Sequence, residues 1–147
     1  MSKLNIYNLQ IIKESSISYD VQQKIRTPED AVDVFKNAIK LDMKSEEYLY
    51  MLALNTKNCV IGCCEISHGS INNSVVHPRE IFKRALLLNA TSIIIAHNHP
   101  SGNTAPSKED INVTERIKRC GELMGIALLD HVIIGDDYYS FRSHDKL

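Results

Sequence analysis

The stretch that most constrains this chain is Ser92-Ile93-Ile94-Ile95-Ala96-His97. It is short, β-branched and apolar throughout, which predicts a central strand covered on both faces. The strand runs into a Pro/Gly/Ser-rich loop from Pro100 to Pro106. Ser107 then starts a helix whose inner face is predicted to carry Ile111, Thr114, Ile117, Cys120 and Met124, with Gly125 beyond its end. A buried strand, a tight loop and an amphipathic helix in succession imply an α/β architecture.

The flanking segments agree. Thr27-Pro28-Glu29-Asp30 supplies an N-cap hydroxyl, a proline at the first helical position and acids in the first turn. Ala31, Val34, Phe35, Ala38 and Ile39 then recur at helical spacing, in a stripe ending near Leu41. Tyr48 to Asn55 reads as a strand buried on both faces, and Cys59 to Ile66 returns as its hairpin partner after the turn Thr56-Lys57-Asn58. Ser74-Val75-Val76 offers a short strand, and Pro78 opens a second helix with Ile81, Phe82, Ala85, Leu86 and Asn89 along one side. Near the C-terminus Asp130 to Gly135 reads as a strand, Asp136-Asp137 as a turn and Tyr138 to Arg142 as its partner. The whole predicts a mixed β-sheet flanked by helices. Residues 1–26 are expected to form an N-terminal extension, with an edge strand over Leu4 to Ile12 and a polar connector from Lys13 to Lys24. Residues 27–147 are expected to form the folded domain.

Composition narrows the class. The chain has 147 residues, 44% of them hydrophobic, enough for one core. Lys and Arg number 17 against 18 Asp and Glu, a balance that argues against a polybasic nucleic-acid binder. The longest apolar stretch, Tyr48 to Leu54, falls far short of the roughly 18 residues of a membrane span. Met1 to Asn5 shows no apolar secretory core, so the expectation is a soluble, cytoplasmic, single-domain protein. Cys59, Cys63, Cys64 and Cys120 contain no C-x-x-C pair and are expected to be free, mostly buried thiols.

The chemistry gathers at the strand–loop–helix junction, His97-Asn98-His99-Pro100-Ser101-Gly102 followed by Pro106-Ser107-Lys108-Glu109-Asp110. Two histidines at i and i+2 of a strand end point to one side, and an acid in the first turn of the next helix can face them. Two imidazoles and one carboxylate leave a fourth position open, which is the donor set of a catalytic zinc. The same set also serves iron(II), so ligand type leaves Fe2+ open. Ser107-x-x-Asp110 equally has the form of a helix capping pair.

These residues carry a resemblance. His97-x-His99, ten intervening residues and Asp110, with Pro100-Ser101-Gly102 and Ser107 between, resembles the JAMM motif of the MPN+ metalloproteases. Val76-His77-Pro78-Arg79-Glu80, Leu88-Asn89-Ala90, His97-Asn98-His99-Pro100-Ser101-Gly102 and Leu129-Asp130-His131 resemble, more narrowly, the bacterial RadC family. The similarity extends from about Thr27 to the C-terminus. It implies a cytidine-deaminase-like JAB/MPN fold, a Zn2+ ion on His97, His99 and Asp110, and hydrolysis of peptide or isopeptide bonds in a peptide or protein substrate. It implies further that Ser107 donates a hydrogen bond to the developing oxyanion and that an upstream glutamate moves the proton. Glu47 best matches that glutamate, with Glu46, Glu65 and Glu80 as alternatives. An accessory role in DNA metabolism, or hydrolysis of another bond, is the competing reading.

Many RadC-like proteins also carry an N-terminal helix-hairpin-helix module built on glycine-containing hairpins. The first glycine here is Gly62, so this chain is expected to lack it. The cluster Arg116, Lys118 and Arg119 reads as a solvated helix face. His131 is expected to pack at the start of its strand, and Thr114 either to support the site or to bond its own helix.

Overall fold

The computed structural model describes residues 1–19, 24–69 and 76–147. Five strands form one mixed sheet in the order β2-β1-β3-β4-β5: β1 is Tyr48–Leu54, β2 Val60–His68, β3 Ser92–Asn98, β4 Ala127–Ile134 and β5 Tyr138–Ser140. The β3–β4 pair is parallel and the other three pairs are antiparallel. Helix α1 (Pro28–Asn37) covers one face, while α2 (Pro78–Leu87) and α3 (Lys108–Met124) cover the other.

Period-two alternation on β3 builds both cores at once. Ile93 and Ile95 face α2 and α3 with Leu49, Met51, Ile81, Phe82 and Ile117, whereas Ile94 and Ala96 face α1 with Leu52, Leu54 and Phe35. Every residue of β3 is buried. The central strand expected from sequence is therefore the central strand observed, and the architecture is the predicted α/β one.

Local chemistry sets the helix starts. At α1 Thr27 and Asp30 form a reciprocal capping box around Pro28, and at α3 Ser107 and Asp110 do the same. Gly125 ends α3 in the left-handed conformation at φ 71°.

Several expectations are corrected. No strand forms over Leu4 to Ile12, whose residues are exposed and irregular. The apolar side chains are present there, but a strand needs a partner strand, and among the described residues the only β contact of the upstream segment is a single bridge from Lys24 to Cys59. The connector Lys13–Lys24 lies partly, and the strand Ser74–Val76 mostly, outside the described residues; Val76 itself is buried without regular structure. Asn89 does not line α2, because the helix ends at Leu87 and Asn89 turns the chain at φ 55°. Ile111 and Met124 lie off the inner face of α3, each almost half exposed, and Asp110 and Gly121 occupy that face with Thr114 and Ile117. The thiols are free but less buried than expected: Cys63 is exposed and the other three are partly buried. Cys59, Cys63 and Cys64 lie on or beside β2, an edge strand with no second neighbour in the sheet.

Candidate metal centre

The site lies where β3 ends and α3 begins. His97 continues the Ile93-Ile95 row and so points to the α3 side of the sheet, where it is fully buried. His99, two residues on, points the same way from the first loop residue. Asp110 is the third residue of α3, and the capping box that starts the helix also turns its carboxylate inward. Its Oδ2 accepts the Ser107 backbone N–H at 2.8 Å, and the Asp110 N–H donates to Ser107 Oγ at 3.0 Å. The capping and metal readings of Asp110 are thus one geometry, since the cap orients the ligand.

The three side chains converge. His97 Nε2 lies 2.9 Å from His99 Nε2 and 3.2 Å from Asp110 Oδ1, and His99 Nε2 lies 3.4 Å from Asp110 Oδ2. One ligand atom from each falls within 4.8 Å of the others, so the group can hold a metal ion. The Nδ1 of His99 faces the carbonyl oxygen of Asn103 at 2.7 Å. A carbonyl only accepts, so this nitrogen carries the proton and Nε2 presents a lone pair to the cluster. A lone-pair nitrogen and a carboxylate meeting in a closed space fit a divalent cation with mixed N/O preference. Burial opposes the charge of Asp110, yet its contacts with both imidazoles hold its carboxyl well below the usual range. The Asp110 carboxylate in turn raises the pKa of His99, against burial, with smaller contributions from the Asn103 carbonyl and from the charge of Glu47.

The structure also places the four glutamates. The β1–β3 ladder ends with Leu49 opposite His97, and Glu47 immediately precedes β1. The charge of Glu47 is felt at His99. Glu46 is exposed, and Glu65 is exposed on β2, paired with Tyr50. Glu80 is engaged with Lys83 and Arg84 at 2.7 and 3.0 Å on α2.

Two supports were not assigned by sequence, and a third was offered there as one of two alternatives for Thr114. Asn98, between the two histidines, points to the other face and holds the approach to β1. Its Oδ1 accepts from the Tyr48 N–H at 2.7 Å, and its Nδ2 donates to the carbonyls of Glu46 at 2.8 Å and Lys44 at 3.3 Å. The loop that carries His99 is clamped to the β4–β5 turn: the His99 N–H donates to the Ile134 carbonyl at 2.8 Å and the Asp136 N–H to the Gly102 carbonyl at 2.9 Å. The approach is so close that a Cβ on Gly135 would lie 2.4 Å from the Gly102 carbonyl oxygen. Finally, His131 is fully buried behind His97, and Thr114 behind His131. Burial holds His131 well below its ordinary pKa, so its ring is neutral. The expected support role and helix bond of Thr114 both occur: its Oγ1 lies 2.6 Å from the Asp110 carbonyl and 2.6 Å from His131 Nδ1.

With this geometry in view, the family model described as the RadC-like JAB domain matches residues 25–146. This chain belongs to the RadC-like JAB domain family. It is 53% identical over 118 residues to a UPF0758 protein of Clostridium botulinum (strain Alaska E43 / Type E3), covering 80% of this chain and 51% of that one. It is 54% identical over 124 residues to a UPF0758 protein of Clostridium tetani, covering 84% and 54%. A UPF0758 protein of Clostridium perfringens (strain 13 / Type A) matches at 46% over 139 residues, or 94% of this chain and 60% of that one. The chain thus spans about half the length of the curated relatives it matches. Among the described residues of this RadC-like JAB domain no helix is long and apolar enough to cross a membrane.

Proposed function

We propose that this RadC-like JAB domain is a zinc-dependent metallopeptidase of the JAMM type, hydrolysing a peptide or isopeptide bond in a peptide or protein substrate. The observation that carries the reading is the convergence of His97, His99 and Asp110, with the charge of Glu47 felt at His99. His97, His99 and Asp110 would hold the zinc ion, which when bound would supply a water ligand of pKa about 7 and polarisation of a carbonyl oxygen.

The remaining chemistry belongs to the chain. Glu47, half-buried and close enough for its charge to act on His99, accepts the proton of the attacking water and returns it to the leaving amine. Ser107 Oγ accepts the Asp110 N–H and so keeps its own proton to donate to the oxyanion. Asp110 is held in place by the Ser107 N–H, which donates to its Oδ2 at 2.8 Å. The loop clamp and the α3 capping box hold His99 and Asp110 before substrate arrives, so little reorganisation accompanies the reaction.

The test is Glu47→Gln, assayed against a peptide library that responds to the wild-type protein, with metal content measured by elemental analysis. The expected outcome is a wild-type equivalent of zinc with hydrolysis lost. Loss of zinc would make Glu47 a ligand, and unchanged turnover would move the base elsewhere. Iron in place of zinc in protein purified without added metal would overturn the cofactor assignment.

A further inference from the structure

We propose that His131 and Thr114 are positioning residues which fix the ring tautomer of His97, so that Nε2 of His97 presents its lone pair to the metal. The proposal rests on the metal centre being one. It follows from counting protons along a buried chain of four groups: the Asp110 carbonyl, Thr114 Oγ1, the His131 ring and the His97 ring.

Thr114 has one hydroxyl proton and two neighbours, the Asp110 carbonyl oxygen and His131 Nδ1, both at 2.6 Å. If the proton went to His131, two oxygens would face each other at 2.6 Å with no hydrogen between them. Thr114 therefore donates to the carbonyl, which can only accept, and His131 Nδ1–H donates to Thr114. A neutral ring protonated at Nδ1 has Nε2 as its acceptor. That atom lies 2.8 Å from His97 Nδ1, so His97 donates there and its Nε2 is left bare. Histidine ligands usually make their outer hydrogen bond to a carboxylate, a carbonyl or water. His99 follows that pattern with the Asn103 carbonyl, but His97 uses a second imidazole whose own proton is fixed by a threonine.

The surroundings leave little freedom. His97, His131, Thr114 and Asp110 are each 2% exposed or less, and His131 stacks on Phe141 at 4.8 Å with 6° between the ring planes. The chain also closes a circuit, because Asp110 is itself a ligand. One hydroxyl on α3 thus links the ligand on the helix to the ligand on β3. Removing it lets the His131 proton move to Nε2. His97 Nδ1 must then accept, and its own proton moves to Nε2, the atom needed by the metal.

The experiment compares Thr114→Val, Thr114→Ser and His131→Phe with the wild type. Zn2+ and Co2+ affinities are read by competition with a chromophoric chelator, and ring tautomers by long-range 1H–15N spectra of the metal-free proteins. The expected result is a loss of about 10–100-fold in affinity for Thr114→Val and His131→Phe. Thr114→Ser, which restores the hydroxyl, should stay within about threefold of wild type on the same scale. His97 should be an Nδ1–H tautomer in the wild type and shift toward Nε2–H in Thr114→Val. Should His131→Phe fail to fold, the isosteric Thr114→Val and its serine rescue decide the matter. A wild type that binds neither ion at stoichiometry would overturn the metal centre and this inference together. Wild-type binding with an unaffected Thr114→Val, or an Nε2–H His97 in the wild type, would overturn this inference alone.

Discussion

Replacing Asn98 by alanine should detach the glutamate from the metal while leaving the metal in place. The side chain is 2% exposed and its amide joins β3 to the chain entering β1. Two of its bonds, at 2.7 and 2.8 Å, are well formed and a third is long at 3.3 Å. Each well-formed bond contributes about 0.5–1.5 kcal/mol net, and a half-buried Tyr48 N–H left unpaired costs about 1–3 kcal/mol more. The sum is about 2–6 kcal/mol, readable as a lower urea midpoint at unchanged m-value. Zinc affinity should stay within about threefold of wild type, because His97 and His99 sit on the opposite face and keep their own partners, in contrast to the 10–100-fold expected when ligand supports are lost. Hydrolysis should fall by about 100-fold, the effect of releasing a catalytic group by roughly an ångström. Asn98→Asp keeps the acceptor for Tyr48 but turns a carboxylate toward the carbonyls of Lys44 and Glu46, so it should not rescue. A stability loss below about 0.5 kcal/mol would refute the tethering argument. A collapse of zinc affinity with stability intact would refute the separation of the two faces.

Gly135→Ala should cost about 2 kcal/mol or more in urea unfolding and weaken zinc binding, because the added Cβ meets the Gly102 backbone and the displacement passes to His99; wild-type values for both would dismiss the clamp. Asp130 is buried beneath Ser140 and the Arg142 and His131 amides, and its pKa lies above the ordinary 3.8, chiefly through burial. The folded state therefore holds that proton more tightly than the unfolded chain, and this group adds stability as pH falls through its folded pKa, the gain being complete below 3.8. Asp110 acts in the opposite sense below its own ordinary value, so the comparison to make is urea midpoint against pH for Asp130→Asn and wild type: the variant should lose the rise above pH 3.8, and parallel curves would exclude the effect.

Much of the fold was legible because its signals are local. Thr27-Pro28 and Ser107-x-x-Asp110 each start a helix through bonds spanning three residues, and the Ile93-Ile94-Ile95 run can be satisfied only between two covered faces. Errors arose where a pattern needed a partner that sequence does not supply. Leu4 to Ile12 has apolar side chains enough for a strand, but those residues stay exposed and pair with no strand of the sheet. Ile111 follows the helical period but sits on the rim of the α3 stripe, where Asp110 took the inner place because the cap rotates it inward. Of the four glutamates, Glu47 is the one whose charge acts on His99, a coupling across the fold that spacing along the chain does not show.

By itself the sequence determined the strand–loop–helix unit and two imidazoles on one side of it, since side-chain direction on a strand and the start of a helix depend on neighbours within a few residues. It also determined that Asp110 would occupy the first turn of α3. Tertiary structure alone decided what completes the centre. The partner of Asn98 lies fifty residues away, that of His97 thirty-four, and that of Thr114 seventeen. Contacts at such separations are set by strand register and by the packing of α3 on β4, which exist only once the sheet has formed.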